Sequence, residues 1–419
     1  MKPAATTLRP LIEELLGGEL QVRFEFWDGS VLGPGAGVPA VQVRSADVVR
    51  WILWAPGGLG LARAFVAGDL DTSGDLAEVL RKLRHAAPDG VKPRALLAAA
   101  RAVKELALPP GPPTPPPEEA RPRGLRHSKS RDRQAVSHHY DVSNDFYSLV
   151  LGPSMTYSCA RFAEPTMSLE EAQASKYELI CRKLGLPGHP GIRLLDVGCG
   201  WGSMAIHAAR EHEAQVVGVT VSQAQVDLAR KRVADAGVAD RIEIRLQDYR
   251  DVRDGPFDAI SSIGMFEHVG ARRIGEYFSC LRSLLVPNGR LLNHAISSVA
   301  GSDLAGRSFM GRYVFPDAQL VSVARVVDGM EEVGFEVRDV ESLREHYALT
   351  LQKWLANLEG SWDRAVELVG ERRARTWRLY MTGCSLAFED GGLAVHQVLG
   401  VVPGADGASG CPPTRADWV

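Results

Sequence analysis

Leu194-Leu-Asp-Val-Gly-Cys-Gly-Trp-Gly202 constrains the fold of this 419-residue chain more than any other stretch. Leu194, Leu195 and Val197 predict a buried strand, the glycines demand a sharp turn, and Ser203–Glu211 continues with helical spacing. The pattern then repeats. Val216–Val219 reads as the next strand, Gln223–Ala236 as a helix and Ile242–Leu246 as a third strand. Phe257–Ser261, Arg290–Asn293, Phe335–Val340 and His396–Val401 supply further strands. Such alternation predicts an α/β fold, a Rossmann-like parallel sheet with helices on both faces.

This region does not fill the chain. Leu108-Pro-Pro-Gly-Pro-Pro-Thr-Pro-Pro-Pro117 can be neither helix nor central strand, because proline lacks the amide donor and restrains its neighbours. The expected organisation is a small domain over 1–108, a stiff Pro-rich linker over 109–124, the α/β domain over 125–402 and a flexible Gly/Pro-rich tail over 403–419. The first domain reads as α+β. Leu8–Leu16 is helical in pattern, and Leu20, Val22, Phe24 and Phe26 alternate as in a half-buried strand. A turn at Asp28-Gly29 leads to a strand at Val41 and Val43, then helices near Asp47–Trp54, Asp75–Leu83 and Arg94–Leu106. No catalytic constellation is visible there, which suggests a module that docks lipid or a second subunit. The basic run Arg121, Arg123, Arg126, Lys129, Arg131 and Arg133 reads as a solvated linker face or as an anchor for anionic phospholipid headgroups.

Composition excludes several classes. Lys+Arg total 48 against 51 Asp+Glu, so nothing global points to nucleic acid. With 9 Lys against 39 Arg, the chain carries the coding bias of a GC-rich bacterial genome. No apolar run reaches the length of a membrane span, and Met1 to Pro10 has no signal-peptide pattern. Cys159, Cys181, Cys199, Cys280, Cys384 and Cys411 form no C-x-x-C and show no finger spacing, so neither disulfides nor a bound metal are expected. The expected location is the cytoplasm, with any membrane contact peripheral and at its inner face.

The spacing of the glycines narrows the ligand. Gly198, Gly200 and Gly202 form G-x-G-x-G rather than the dinucleotide fingerprint G-x-G-x-x-G. Asp196 precedes the first glycine, where it can meet a cationic ammonium rather than a pyrophosphate. This favours S-adenosylmethionine over NAD. Thr220 and Gln225 follow the second strand, where many methyltransferases hold the ribose hydroxyls, and Gln247, Asp248 and Tyr249 follow the third, beside the expected adenine.

Val136–Tyr147 (VSHHYDVSNDFY), Met155–Ala160 (MTYSCA), the glycine motif, Gly218–Gln225 (GVTVSQAQ), Ser262–Gly270 (SIGMFEHVG) and His346–Trp354 (HYALTLQKW) together resemble the cyclopropane-fatty-acyl-phospholipid synthase family. The resemblance implies a class I methyltransferase sheet and methyl transfer from S-adenosylmethionine to a cis double bond of a phospholipid acyl chain. It adds Tyr157 and Ser158 to the cofactor set. It also implies a bicarbonate ion as the base, held at Cys159, Glu267, His294, Ile296 and Tyr347, with Ile296, and Cys159 likewise, acting through the backbone. Cys384 matches a cysteine proposed as the family nucleophile. Methyl transfer from a sulfonium needs no covalent enzyme intermediate, so a buried structural cysteine is the preferred reading. His138, His139 and Tyr140 would belong to a lid over the cofactor.

Some family members close a cyclopropane; tuberculostearic-acid methyltransferases leave a 10-methylene branch that a flavoprotein reductase later saturates. The expected product is the 10-methylene chain, the alternative is the ring, and a homodimer is the expected assembly. Two further readings stay open at this point, a small-molecule methyltransferase and a non-catalytic lipid-binding protein.

Overall fold

In the computed structural model, residues 2–17, 20–86, 92–120, 124, 128–129, 131–132, 143–299 and 308–418 are described. They divide into two compact units. The first comprises Met1–Arg121, Gly306–Val314 and Trp362–Leu386; the second comprises Pro122–Ala305, Phe315–Ser361 and Ala387–Val419.

The first unit carries a four-stranded sheet of β1 (Arg23–Phe26), β2 (Val31–Leu32), β3 (Ala40–Val43) and β4 (Leu70–Ser73), in the order β2-β1-β3-β4. Phe24, Phe26, Val41 and Val43 point into a core shared with Leu8, Leu11 and Ile12 of helix Ala4–Leu16 and with Val49, Trp51 and Ile52 of helix Asp47–Trp54. The helix Gly58–Ala67 has no counterpart in the sequence reading, because two glycines in its first turn disguise it. The proline run is not a free spacer. Arg50 donates to the Gly111 carbonyl at 3.2 Å, and Arg63 grips the buried carboxylate of Glu119 through two bonds of 2.8 and 2.9 Å.

Nor is this unit contiguous, as the boundary at 108 had assumed. Arg375, from helix Glu371–Glu389, is buried and bonds Asp71 (2.9 Å) together with the carbonyls of Phe65 and Leu70 (both 2.6 Å). A guanidinium withdrawn from water requires such acceptors, and the amino-terminal segment supplies all three hydrogen bonds, with Glu371 of the same helix 3.8 Å away.

The second unit carries a seven-stranded sheet of β5 (Arg193–Val197), β6 (Gln215–Thr220), β7 (Ile242–Leu246), β8 (Phe257–Ile263), β9 (Leu285–Ser298), β10 (Glu336–Ser342) and β11 (Leu393–Val401). Their order is β10-β11-β9-β8-β5-β6-β7. The run from β9 to β7 is parallel, but β11 is antiparallel to both β9 and β10, so the sheet is mixed rather than parallel throughout. Alternating apolar strands carry no mark of direction, which is why the sequence hid this reversal.

Each sheet face has its own core. One gathers Leu194, Val216 and Leu292 with helices Leu169–Leu184 and Ser203–His212; the other gathers Leu195, Ile260 and Leu291 with helix Ile274–Ser283. The tail, expected to be loose, ends with Trp418 buried in the first of these cores. Among the described residues no helix is long and apolar enough to cross a membrane.

Candidate active site

β5 ends at Val197 and the chain turns through Gly198, Gly200 and Gly202, all in the left-handed region. The N–H groups of Gly198 and Cys199 both donate to the Val219 carbonyl, at 2.9 and 3.1 Å, which ties the turn to β6. Arg232 braces it from below, donating to the Trp201 carbonyl (2.5 Å), Ser203 Oγ (2.9 Å) and the Ser154 carbonyl (2.8 Å). Gly198 and Gly200 line a cleft, where a side chain at Gly198 would press on Met265 at 3.1 Å. Gly202 does not line it. It packs at the start of helix Ser203–His212, where a Cβ would meet Ala229 at an ordinary 3.5 Å, so its constraint is the left-handed φ of 82° rather than space.

The cleft opens beyond the carboxyl ends of the strands, as open α/β sheets dictate. Tyr157, Ser158, Asp196, Thr220, Gln225, Gln247, Asp248 and Tyr249 line it, joined by Trp201, Met265 and His268. Asp196 is buried; its Oδ1 accepts from Ser261 Oγ at 2.7 Å, while Oδ2 has no partner. Burial pushes its pKa up to about 6. An unpartnered buried carboxylate oxygen suits a cationic ligand group. Thr220 Oγ1 and Gln225 Oε1 lie 2.6 Å apart, so the two residues expected at the ribose sit together. Asp248 is gripped by Arg250 (2.8 and 2.6 Å), which outweighs its burial and holds the carboxylate below its usual range.

The residues expected to manage the proton belong to the same unit, except one. Glu267 lies in the short turn Phe266–His268 after β8 and is buried. Its Oε1 accepts from the Ile296 N–H at 2.7 Å, and its Oε2 has no partner. Desolvation pushes this carboxyl up to about 7. His294 stands two residues before Ile296 on β9 and is also buried. Its tautomer can be read from its neighbours. Lys183 Nζ, a pure donor, bonds Gln397 Oε1 at 2.9 Å, so the Gln397 amide nitrogen faces His294 Nδ1, 3.3 Å away. Nδ1 therefore accepts, and the ring proton resides on Nε2, which is buried without a partner. Burial, helped by the charges of Lys176 and Lys183, keeps this imidazole neutral.

The backbone N–H of Ile296 is already given to Glu267, because a buried carboxylate takes the nearest donor. Cys384 falls in the other unit, and desolvation pushes its thiol up to about 12, in keeping with the structural reading preferred from the sequence over a nucleophile. The Cys159 thiol is likewise committed, pointing to the carbonyls of Ala160 (3.2 Å) and Leu343 (3.6 Å), with its pKa driven far up by burial. The segment around it is pinned to helix Arg344–Gly360: Ala160 N–H donates to Thr350 Oγ1 (3.0 Å) and Phe162 N–H to His346 Nδ1 (3.2 Å). Tyr347, on that helix, packs its ring 4.7 Å from Phe388 and 6.1 Å from Trp354. His138, His139 and Tyr140 lie outside the described residues, as do Arg121, Arg123, Arg126 and Arg133. Lys129 and Arg131 are engaged in the second unit, with Asp251 and Asp317.

Sequence reasoning missed Lys176. Its ammonium is buried, bonds Ser158 Oγ at 2.8 Å and lies 3.9 Å from the centre of the Tyr177 ring. Burial pushes its pKa down to about 7, against the pull of Cys159 and Asp196. The signal was available: Gln173, Lys176 and Lys183 share the buried stripe of helix Leu169–Leu184 with Ile180, where charge needs a reason. A chain of rings was missed as well. Trp201, Tyr147, Tyr157 and Trp354 succeed one another at 4.8, 5.8 and 5.3 Å, and run from the cleft to Tyr347.

The cleft fits S-adenosylmethionine: an exposed glycine backbone, a free carboxylate oxygen for a cationic group, and a Thr–Gln pair for hydroxyls. Fold and cleft define an S-adenosylmethionine-dependent methyltransferase. The family pattern described as mycolic acid cyclopropane synthetase matches residues 127–398. The chain belongs to that family. It is 44% identical over 395 residues to "Probable fatty acid methyltransferase Rv3720" of Mycobacterium tuberculosis, covering 91% of each chain. It is 40% identical over 418 residues to "Probable fatty acid methyltransferase" of Pseudomonas putida, covering 98% of each. Among solved structures it resembles mycolic acid cyclopropane synthase CmaA1 complexed with SAH and CTAB, at 36% identity and TM-score 0.60, covering 64% of this chain and 98% of that one.

Proposed function

We propose that this enzyme methylates the cis double bond of unsaturated fatty acyl chains in phospholipids, giving a 10-methylene chain from an oleoyl group. The observation that carries the reading is that two buried polar atoms of the second unit have no hydrogen-bond partner, the acceptor Glu267 Oε2 and the donor His294 Nε2. A hydrogen-carbonate ion has both a charged oxygen to accept from His294 and a hydroxyl to donate to Glu267. These two residues would hold it, with Tyr347 and the backbone near Cys159 closing the site, and it would supply the base for the final deprotonation.

S-adenosylmethionine in the cleft supplies an electrophilic methyl group. The protein's work is placement and exclusion of water. An alkene is a weak nucleophile, so Tyr157, Ser158 and the glycine turn must fix the donor in line with it. Methylation at the tenth carbon leaves a cation at the ninth, which water would quench. The faces of Tyr157, Trp354 and Tyr347 offer such a cation electrostatic stabilisation without a nucleophile. A hydride moving from the tenth to the ninth carbon relocates the cation, and loss of a proton from the new methyl gives the methylene. Without that shift, proton loss closes a ring. The relatives that match this chain over nearly its whole length carry fatty acid methyltransferase names, which supports a fatty acyl substrate; a methylene product would call for a flavoprotein reductase downstream.

Docking at the inner membrane surface falls to the first unit in this reading. Trp54, Leu61 and Leu97 are large apolar side chains exposed there. Lipid analysis of a heterologous host fed oleate tests the whole proposal. Methylene and cyclopropane chains are isomers, so the assay must separate them by chromatography after hydrogenation or by ring-proton resonances. Methylene lipid without a reductase is expected; only cyclopropane would overturn the product, and no modified lipid would overturn the substrate.

A further inference from the structure

Helices Leu169–Leu184 and Ser203–His212 bring together a cluster that methyl transfer does not use. Cys181, His207 and His212 each present one donor atom, and the three atoms lie within 4.8 Å of one another. Glu178, one turn before Cys181, points Oε2 at the same place, 2.9 Å from His212 Nε2 and 3.5 Å from His207 Nε2. Its Oε1 is held by Arg182 at 2.8 Å, which orients the carboxylate toward the imidazoles. None of the four side chains lines the cofactor cleft.

We propose that Cys181, His207, His212 and Glu178 form a tetrahedral site for a borderline-soft divalent cation of the zinc type. Donors held about 2.0–2.3 Å from a tetrahedral ion stand roughly 3.3–3.6 Å apart. Glu178 Oε2 and His207 Nε2 already stand 3.5 Å apart; Glu178 and His212, at the hydrogen-bond distance of 2.9 Å, would open slightly, and the Cys181–His207–His212 atoms, within 4.8 Å of one another, would close by at most about 1 Å. Cys181 lies in the last turn of its helix and His212 ends the other, so two carbonyl-rich helix termini add negative potential. Cys181 is buried, the imidazoles are nearly so, and the Glu178 side chain is 32% exposed, which leaves an entry path. Without an ion, burial keeps the thiol protonated; binding would release that proton to the solvent as the sulfur–metal bond forms. The sequence hid the site because its donors come from two helices on either side of β5, with no C-x-x-C. The bound ion would clamp the helix that leads into β5 to the helix that follows the glycine turn.

The test uses full-length protein without a polyhistidine tag, stripped with a chelator, kept reduced and titrated with Co2+ alone. One ion per chain is expected, with a thiolate-to-cobalt charge-transfer band and the visible bands of a tetrahedral ion, all displaced by Zn2+. Cys181→Ser should abolish the charge-transfer band, and His212→Gln should weaken binding at least tenfold, both with unchanged circular dichroism before metal is added. Absence of the band in the parent protein, or its persistence in Cys181→Ser, overturns the proposal. If Cys181→Ser does not fold, His212→Gln and Glu178→Gln decide: unchanged Co2+ affinity in both overturns the site.

Discussion

Glu267→Gln should separate stability from function in opposite directions. The Glu267 carboxyl is buried, with one oxygen unpartnered, and its pKa in the folded chain is raised from 4.5 to about 7. Between those values the folded state binds more protons than the unfolded one, so this group's contribution falls as pH rises through the window. Each pH step of one between the two pKa values corresponds to about 1.4 kcal/mol, so ionisation at Glu267 costs the folded state about 3 kcal/mol above pH 8 and under about 1 kcal/mol at pH 5. The amide that replaces the carboxyl cannot ionise. Its oxygen can still accept from Ile296, and its NH2 inherits the unpartnered position at a pH-independent cost of about 1–3 kcal/mol. The variant should therefore gain about 2–3 kcal/mol on the parent when the pH is raised from 5 to 8, while turnover is lost and cofactor affinity kept. Urea unfolding at the two pH values, beside isothermal titration with S-adenosylmethionine, and a turnover assay read all three quantities. Identical pH dependence in parent and variant would refute the buried-carboxylate argument, and retained turnover would remove Glu267 from the proton-handling set.

Tyr347→Phe should abolish turnover with cofactor affinity intact; a kcat near the parent's would reduce Tyr347 to a packing residue. Asp196→Ala should weaken S-adenosylmethionine binding at least tenfold by calorimetry, since the carboxylate oxygen left free beside the glycine turn is the feature that suits its cationic group; unchanged affinity would dismiss it. Asp71→Ala strips the buried Arg375 guanidinium of its counter-charge and should destabilise the protein by about 3–5 kcal/mol in denaturant titration, whereas a change within experimental error would show the pair to be dispensable. Trp54→Ser, at an exposed tryptophan of the first unit, should lower activity on phospholipid vesicles and leave cofactor binding alone; full vesicle activity would count against docking there.

The strands of the larger sheet were legible because their apolar runs are bounded by turns, and Ile242–Leu246 and Asp47–Trp54 match the structure residue for residue. The glycine motif was legible for the same local reason. What escaped depends on partners distant in sequence. The antiparallel pairing of β11 with β9 is written in no single strand. Gly202 looks like its two neighbours in the motif, and only the structure shows that it does not line the cleft. Arg375 and Lys176 read as ordinary helix charges until the structure shows what surrounds them. The Cys159, Glu267 and His294 assignments rested on resemblance; burial and unpartnered atoms now give the last two a physical argument, and the first loses its thiol to backbone carbonyls.

Synthesis on the ribosome meets the split composition of the first unit. Asp71 and Arg375 are 304 positions apart, yet both belong to that unit. A ribosome adding about 5–20 residues per second reaches the arginine tens of seconds after the aspartate. For that interval the seat at Asp71 has no guanidinium to fill it, while most of the seven-stranded unit is being translated. The usual order, in which the segment made first is finished first, is inverted. Substitutions that slow late elongation or truncate the chain near its end should therefore appear as misfolding at its beginning, where pulse-labelled nascent chains would stay protease-sensitive until residue 375 clears the exit tunnel.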